Sequence, residues 1–255
     1  VHLKKKKLPL KLKKQHKNTK YSIKMSKNIL LIGGSHGIGN AIVQHLHEGN
    51  NVYVASRENE NLPAGVTHIP FDALTEELDT SLLPESLDGF VYCPGSINLK
   101  PFKMLKQSQF EEDMEINFFC LIKATRTVLP LLTKSGTSSI VYFSTVAVAT
   151  GMPFHTSIAA AKGAIEGYAR SLAAEYAPTI RVNVIAPSLV DTPLAGRLLN
   201  NDAKKEKMGE MHPLKRVGTP EDIAGVAVFL LNQNAGWITG QVIGVNGGKG
   251  SLSIG

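Results

Sequence analysis

Apolar residues along this chain fall into short blocks of two alternating kinds. The first kind is rich in β-branched and aromatic residues and occurs at Lys27 to Ile32, Asn51 to Ala55, Val66 to Phe71, Phe90 to Cys93, Ile140 to Phe143, Ile180 to Ala186 and Gly240 to Val245. Runs this short and this continuous predict buried strands. Between them, apolar residues recur at three- and four-residue spacing. Ile38, Ile42, Val43 and Leu46 predict one helix, and a long helix is expected from about Ser108 to Leu132. A third helix should start near Thr156 or Ser157, both plausible N-caps, and run through the Ala/Gly-rich segment 159–174; a fourth opens with Thr219 as N-cap and Pro220 in its first turn. Strand and helix in alternation predict an α/β domain built on a parallel sheet.

With 255 residues and 43% apolar content, one large core suffices, and no internal repeat or second domain is visible. The net charge of +7 changes meaning once it is located. Residues 1–24 hold 10 lysines and no acid, so the rest of the chain carries 18 basic against 21 acidic residues. That mildly acidic body lacks the basic surface that phosphate neutralisation requires, which excludes a nucleic-acid-binding domain and leaves only the tail as a route to RNA or anionic lipid. The tail has no apolar core of a signal peptide and is Lys-rich where a transit peptide is Arg-rich. It is expected to be disordered, with Met25 as the working start and 25–255 as the folded domain. No run approaches the roughly 18 apolar residues of a membrane span. Cys93 and Cys120 lie in apolar surroundings and read as core residues of a reducing, cytoplasmic compartment, and no Cys/His cluster has metal-ligand spacing.

The candidate chemistry begins at the end of the first strand. GGSHGIG follows it at once and leads into a helix, the context a dinucleotide-binding turn requires. Gly33 permits the tight turn, Gly37 lets backbone N–H groups approach a pyrophosphate, and Gly39 lets helix and strand pack closely; Ser35, His36 and Ile38 complete the loop. The second strand ends in Ser56-Arg57, where an NAD site usually carries an acid and a basic residue suits a 2′-phosphate, so NADP is expected over NAD. Arg57 is otherwise a solvated loop residue. Asp72, after the third strand, either accepts from an adenine amino group or caps the turn before LTEEL. Gly95 lies where the chain must cross close to the cofactor.

Asn117 sits in the apolar setting Ile116-Asn117-Phe118, as a satisfied core amide or a group positioned for the site. The stretch Ile140 to Lys162 runs from an apolar strand into the hydroxyls of Ser144 and Thr145, then into a helix whose first two turns carry a single charge, Lys162. That lysine is either a solvated face residue or a positioned cation. After Ala186 come Pro187, Val190 and Thr192, the last two over the nicotinamide end of a bound cofactor. Residues 194–216 are polar and charged and read as a helical lid that sets substrate choice.

Taken together, IGGSHGIG, Asp72, Asn117, FST followed by AAAKGAIEGYARSLAAE, RVNVIAPSLVDTP, GTPEDIAGVAVFLL and TGQVIGVNGG resemble the short-chain dehydrogenase/reductase family from about Lys27 to Gly248. The resemblance implies a single Rossmann-type doubly wound parallel sheet of seven strands with three helices on each face, and a homotetramer or dimer. It implies hydride transfer between a nicotinamide and a small-molecule carbonyl, enone or alcohol. In the family a serine orients the substrate oxygen, a tyrosine exchanges its proton, a lysine lowers the tyrosine pKa and holds the ribose, and an asparagine supports a water. Counted back from Lys162, the tyrosine position is Ile158 and the serine position is Thr145. Departures also occur at Tyr92-Cys93-Pro94-Gly95, at Pro187-Ser188 and at Ile32. His155 precedes Lys162 by the spacing that the enoyl-acyl-carrier-protein reductase branch uses for its tyrosine, so it is either the replacement acid/base or a solvent-facing loop residue. The expectation is an NADP-dependent oxidoreductase with a non-standard proton donor; the alternative is a cofactor-binding pseudoenzyme or regulatory subunit without turnover.

Overall fold

The computed structural model describes residues 26–253, so the Lys-rich segment 1–24 and Met25, with the expectations attached to them, lie outside the described residues. Seven strands form one parallel sheet: β1 (Asn28–Ile32), β2 (Asn51–Ser56), β3 (Thr67–Pro70), β4 (Gly89–Tyr92), β5 (Ser138–Phe143), β6 (Ile180–Pro187) and β7 (Val242–Val245). Their order across the sheet is β3-β2-β1-β4-β5-β6-β7, with every pairing parallel. The chain therefore winds outward from β1 in one direction and returns at β4 to wind in the other. The switch between β1 and β4 opens a crevice at the C-terminal ends of these strands.

Helices cover both faces, as a parallel sheet requires. On one side α1 (Gly37–Leu46) and α7 (Pro220–Leu231) bury Ile42, Val43, Leu46, Ile223 and Leu230 against Ile29, Leu31, Val91 and Val141. On the other, α3 (Cys120–Ser135) and α5 (Thr156–Tyr176) bury Leu121, Val128, Leu132 and Ile165 against Leu30, Phe90, Ile140 and Tyr142. The whole helix Gln107–Ser135 is long and apolar enough to cross a membrane by length and composition, but its apolar stripe is the one that packs on the sheet. Thr219 caps α7 as expected, in a reciprocal box with Asp222.

The structure corrects the reading in four places. The long helix is not uniform: α2 (Gln107–Met114) passes into α3 through a π-helical turn at Glu115–Phe119 that contains Asn117. A short helix, α4 (Val146–Thr150), follows β5 directly, capped by Thr145. Neither Thr156 nor Ser157 caps α5; His155 holds the cap position without a side-chain bond, and the Ser157 hydroxyl donates instead to the Gln109 carbonyl of α2 at 3.3 Å. Cys93 falls just beyond β4 and is only half-buried, whereas Cys120 is buried.

Tyr142 lies at the centre of this core. It is wholly inaccessible, its hydroxyl is 2.7 Å from Thr125 Oγ1, and its ring packs on Phe90 and Tyr168. Burial raises its phenol well above the usual range. Tyr142→Phe should cost about 1 kcal/mol of stability in a urea melt, the usual worth of one hydrogen bond, and leave nicotinamide-cofactor binding unchanged.

Candidate functional site

The crevice at the switch point is a cleft of about 690 Å³. Gly33, Ser35, His36, Ser56, Arg57, Asp72 and Gly95 line it, all named from the sequence. Ser96 and Asn98 were not singled out, yet they line it, and Gly34 shapes it from beneath. The glycines explain how the cleft exists. Gly33 and Gly37 have φ of +78° and +52°, a left-handed backbone that residues with a Cβ adopt at a cost. A Cβ on Gly39 would sit 2.2 Å from the Gly33 carbonyl oxygen, and one on Gly34 would sit 2.8 Å from Val54 Cγ1. Ile38 and Gly39 thus belong to the first turn of α1 behind the loop. Thr192 packs against Gly37 from the opposite side, its Cγ2 3.3 Å from where a Cβ would be.

At the adenine end, Arg57 makes no ion pair among the described residues, while neighbouring Glu58 faces His36 Nε2 at 3.6 Å. Ser56 Oγ donates to the Glu58 carbonyl at 2.7 Å and Asp72 Oδ1 accepts from Leu74 N–H at 3.0 Å. Asp72 therefore caps its turn, and it also lines the cleft.

At the other end, the π-helical turn brings Asn117 beneath Gly95. Its amide donates to the Asp113 carbonyl at 2.8 Å and to Ser96 Oγ at 2.9 Å, while Oδ1 is buried without a partner. A Cβ on Gly95 would meet this Oδ1 at 2.9 Å and Lys162 Nζ at 3.5 Å. Lys162 is partly buried, with its Nζ directed toward Gly95. Burial lowers its pKa to about 8, an effect that Cys93 and Asp113 partly offset. The Cys93 thiol is itself pushed up to about 12 by burial.

Thr145 stands at the end of β5, beside this group. Its Oγ1 accepts from Ala147 N–H at 3.3 Å, which leaves the hydroxyl proton to donate elsewhere. Ser144 Oγ donates to Glu166 Oε1 at 2.6 Å and ties the strand end to α5 one turn beyond Lys162. Ile158, one turn before Lys162, is 5% exposed. His155 is not among the residues lining the cleft; it lies seven residues before Lys162, about 10 Å along the helix axis. Its Nδ1 donates to the Pro153 carbonyl at 2.7 Å.

Pro187 ends β6, and Val190 pairs with Gly218 beside a smaller cavity of about 130 Å³ shared with Ser188 and His212. In the expected lid, α6 (Asp202–Glu210) is followed by a buried anchor: His212 lies 2.8 Å from Ser188 Oγ and 2.9 Å from the Met208 carbonyl. The local sequence around His212 is polar and offered no sign of this.

A glycine turn at the switch point of a doubly wound parallel sheet, with the partly buried Lys162 beside Gly95 at the far end, frames a cleft suited to a dinucleotide. The family model described as enoyl-(acyl carrier protein) reductase matches residues 33–249, and the chain belongs to the short-chain dehydrogenase/reductase family. It is 32% identical to a tropinone reductase homologue of Arabidopsis thaliana over 240 residues, 87% of this chain and 92% of that one. It is also 32% identical to 2,5-dichloro-2,5-cyclohexadiene-1,4-diol dehydrogenase of Sphingobium indicum over 243 residues, 87% and 96% of the two chains. Among solved structures, the ligand-free aldohexose dehydrogenase of Thermoplasma acidophilum superposes with a TM-score of 0.80 at 25% identity, covering 91% of this chain and 98% of that one. ElxO with NADP bound has the same fold, with a TM-score of 0.82 at 24% identity over 89% and 100% of the two chains.

Burial of Lys162 carries a pH signature. Between about pH 8 and 10.5 the unfolded chain holds the lysine proton and the folded chain does not, so stability rises with pH across that window. Lys162→Met should lack this rise. Denaturant melts at the two ends of the window should show the wild type gaining on the order of 2 kcal/mol relative to the variant.

Proposed function

We propose that this protein is an NADP-dependent oxidoreductase that interconverts a small-molecule carbonyl or enone and its reduced form, with a proton donor other than tyrosine. The observation that carries this reading is the cleft itself, whose glycine turn has no room for a Cβ at Gly39, which Arg57 lines without an ion pair among the described residues, and whose Gly95 wall abuts Lys162 Nζ. When bound, NADPH supplies the hydride.

The chain's residues divide the remaining work. The turn from Gly33 to Gly39, with Ser35, His36 and Ile38, offers backbone N–H groups and the N-terminal end of α1 to the pyrophosphate. Ser56 and Arg57 hold the 2′-phosphate, and the Glu58–His36 contact leaves Arg57 uncompensated for it. Asp72 faces the adenine, and Gly95 gives the ribose room to lie against Lys162. Pro187, Val190 and Thr192 border the nicotinamide. Asn117 supports the water beside Lys162, and Thr145 donates its free hydroxyl proton to the substrate oxygen.

Ile158 occupies the tyrosine position and excludes water without exchanging a proton. Tyr142, deep in the core and bonded to Thr125, is no substitute. His155 is the proton donor in this reading, acting through Nε2, because Nδ1 donates to the Pro153 carbonyl. The exposed small residues Ala160 and Gly167 of α5 and the half-exposed Phe119 support the homo-oligomer that the family resemblance implies. The buried apolar side chain of Ile158 also favours a second reading, a subunit that binds cofactor without turning it over.

Fluorescence titration with NADPH and NADH tests the cofactor assignment. Arg57→Ala should weaken NADPH about 10- to 100-fold, the loss of a charge-assisted bond, and leave NADH nearly unchanged. An equal effect on both would remove Arg57 from the phosphate site. Turnover with a panel of carbonyl substrates separates the two functional readings. In the enzyme reading, His155→Ala lowers kcat by about 10²- to 10⁴-fold with cofactor affinity retained. In the non-catalytic reading the wild type is already silent, and activity emerges only in Ile158→Tyr.

A further inference from the structure

The smaller cavity of about 130 Å³ holds a second set of reactive groups, and none of the residues lining it lines the cofactor cleft. Ser188, in the loop directly after β6, is half-buried and lines it. His212, from the chain after α6, is buried and lines it too. The imidazole is held at both nitrogens: Nδ1 is 2.9 Å from the Met208 carbonyl oxygen and Nε2 is 2.8 Å from Ser188 Oγ. Gly247, after β7, lies against the ring, where a Cβ would sit 3.5 Å from Cδ2.

These contacts decide where each proton sits. A carbonyl oxygen only accepts, so Nδ1 carries the hydrogen and donates to Met208. In the neutral ring Nε2 is then the acceptor, and the Ser188 hydroxyl donates to it. A hydroxyl bonded to a histidine that a third group orients is the arrangement of an activated nucleophile. None of the hydrogen bonds among the described residues uses the N–H of Leu189, the residue after Ser188, which leaves that donor for an oxyanion. The charged residues of the wall engage each other, Arg216 Nη2 donating to Asp222 Oδ1 at 2.8 Å. Most of the remaining wall is apolar, from Leu189, Val190, Leu214, Ile223 and Val245.

We propose that Ser188 is the nucleophile of a second site, with His212 as its general base, which takes esters of short apolar acids and transfers the acyl group to water. This activity lies beyond the oxidoreductase reading and does not depend on it. Ser188 Oγ adds to the ester carbonyl carbon while its proton passes to His212 Nε2, and the carbonyl electron pair moves onto oxygen, where Leu189 N–H donates. The Met208 carbonyl, accepting from Nδ1, stabilises the imidazolium so formed. Return of the electron pair breaks the bond to the alkoxy oxygen, which leaves as the alcohol with the proton from Nε2. Water adds to the acyl-serine by the same route, releasing the carboxylic acid and restoring Ser188. The sum is ester plus water giving acid plus alcohol. The cavity volume confines the acyl group to a few non-hydrogen atoms.

The test treats the full chain, without cofactor, with a fluorophosphonate, which phosphonylates activated serines with loss of fluoride. Mass spectrometry maps the modified residue, and hydrolysis of 4-nitrophenyl acetate is followed in parallel. The wild type should be labelled at Ser188 and should hydrolyse the ester faster than Ser188→Ala. His212→Gln should slow labelling by about 10²- to 10⁴-fold, the worth of a general base. Labelling of Ser188 no faster in the native chain than in urea, an unchanged rate in His212→Gln, or equal hydrolysis by wild type and Ser188→Ala each overturns the proposal. Ser188 and His212 would then only anchor the segment after α6. Should His212→Gln fail to fold, labelling of native against urea-unfolded wild type decides the matter: selective native labelling supports the nucleophile and equal labelling overturns it. NADPH titration of the same sample reports on the cleft alone, so the cofactor reading stands or falls separately.

Discussion

At Gly39 the first turn of α1 passes so close to the end of β1 that a single methyl group would lie 2.2 Å from the Gly33 carbonyl. This contact sets the height of α1 over the sheet, and with it the depth of the crevice between β1 and β4. Gly34 carries the same constraint on the neighbouring strand, through Val54. The left-handed turns at Gly33 and Gly37 follow, because the chain must reverse within a few residues to start the helix on top of its own strand. Thr192, from the far side of the sheet, then packs on Gly37. One backbone-to-backbone approach thereby aligns the cleft's floor, its glycine turn and the start of the segment after Thr192.

The opposite end of the cleft is governed by electrostatics. Taking an ammonium out of water costs several kcal/mol, and such a group either loses its proton or acquires a counter-charge. For Lys162, burial lowers the pKa to about 8. The π-helical turn at Glu115–Phe119 makes the arrangement possible. By admitting an extra residue into the turn, it rotates Asn117 toward Gly95 and leaves Asp113 on the same face. π-helical turns are uncommon and occur often at functional sites, which agrees with this location.

The segment between β5 and α5 joins the two ends. Thr145 caps α4, Ser144 ties the strand to Glu166, and Ile158 fills its place with hydrocarbon. Such a surface excludes water and strengthens nearby charges, but it offers no proton. Tyr142, on the same strand, points into the core on the α3 and α5 side, where its hydroxyl is bonded to Thr125.

Much of this was legible in the chain itself. Strand periodicity, the glycine spacing and the Thr219 cap are local properties, determined by side-chain branching, backbone freedom and one hydrogen bond, so seven strands, the first turn and α7 could be read directly. Gly33, His36, Arg57, Asp72 and Gly95 were recognisable as cleft candidates because each lies in a loop just after a strand, on the edge where a parallel sheet opens. Tertiary structure alone decided the rest. It set Lys162 Nζ beside Gly95, withdrew the caps assigned to Thr156 and Ser157, and inserted the π-helical turn at Asn117. It also brought Ser96, Asn98 and Asp113 together, and set His212 on Ser188. These depend on contacts between residues far apart in sequence, where desolvation and hydrogen-bond competition, not local propensity, choose the outcome.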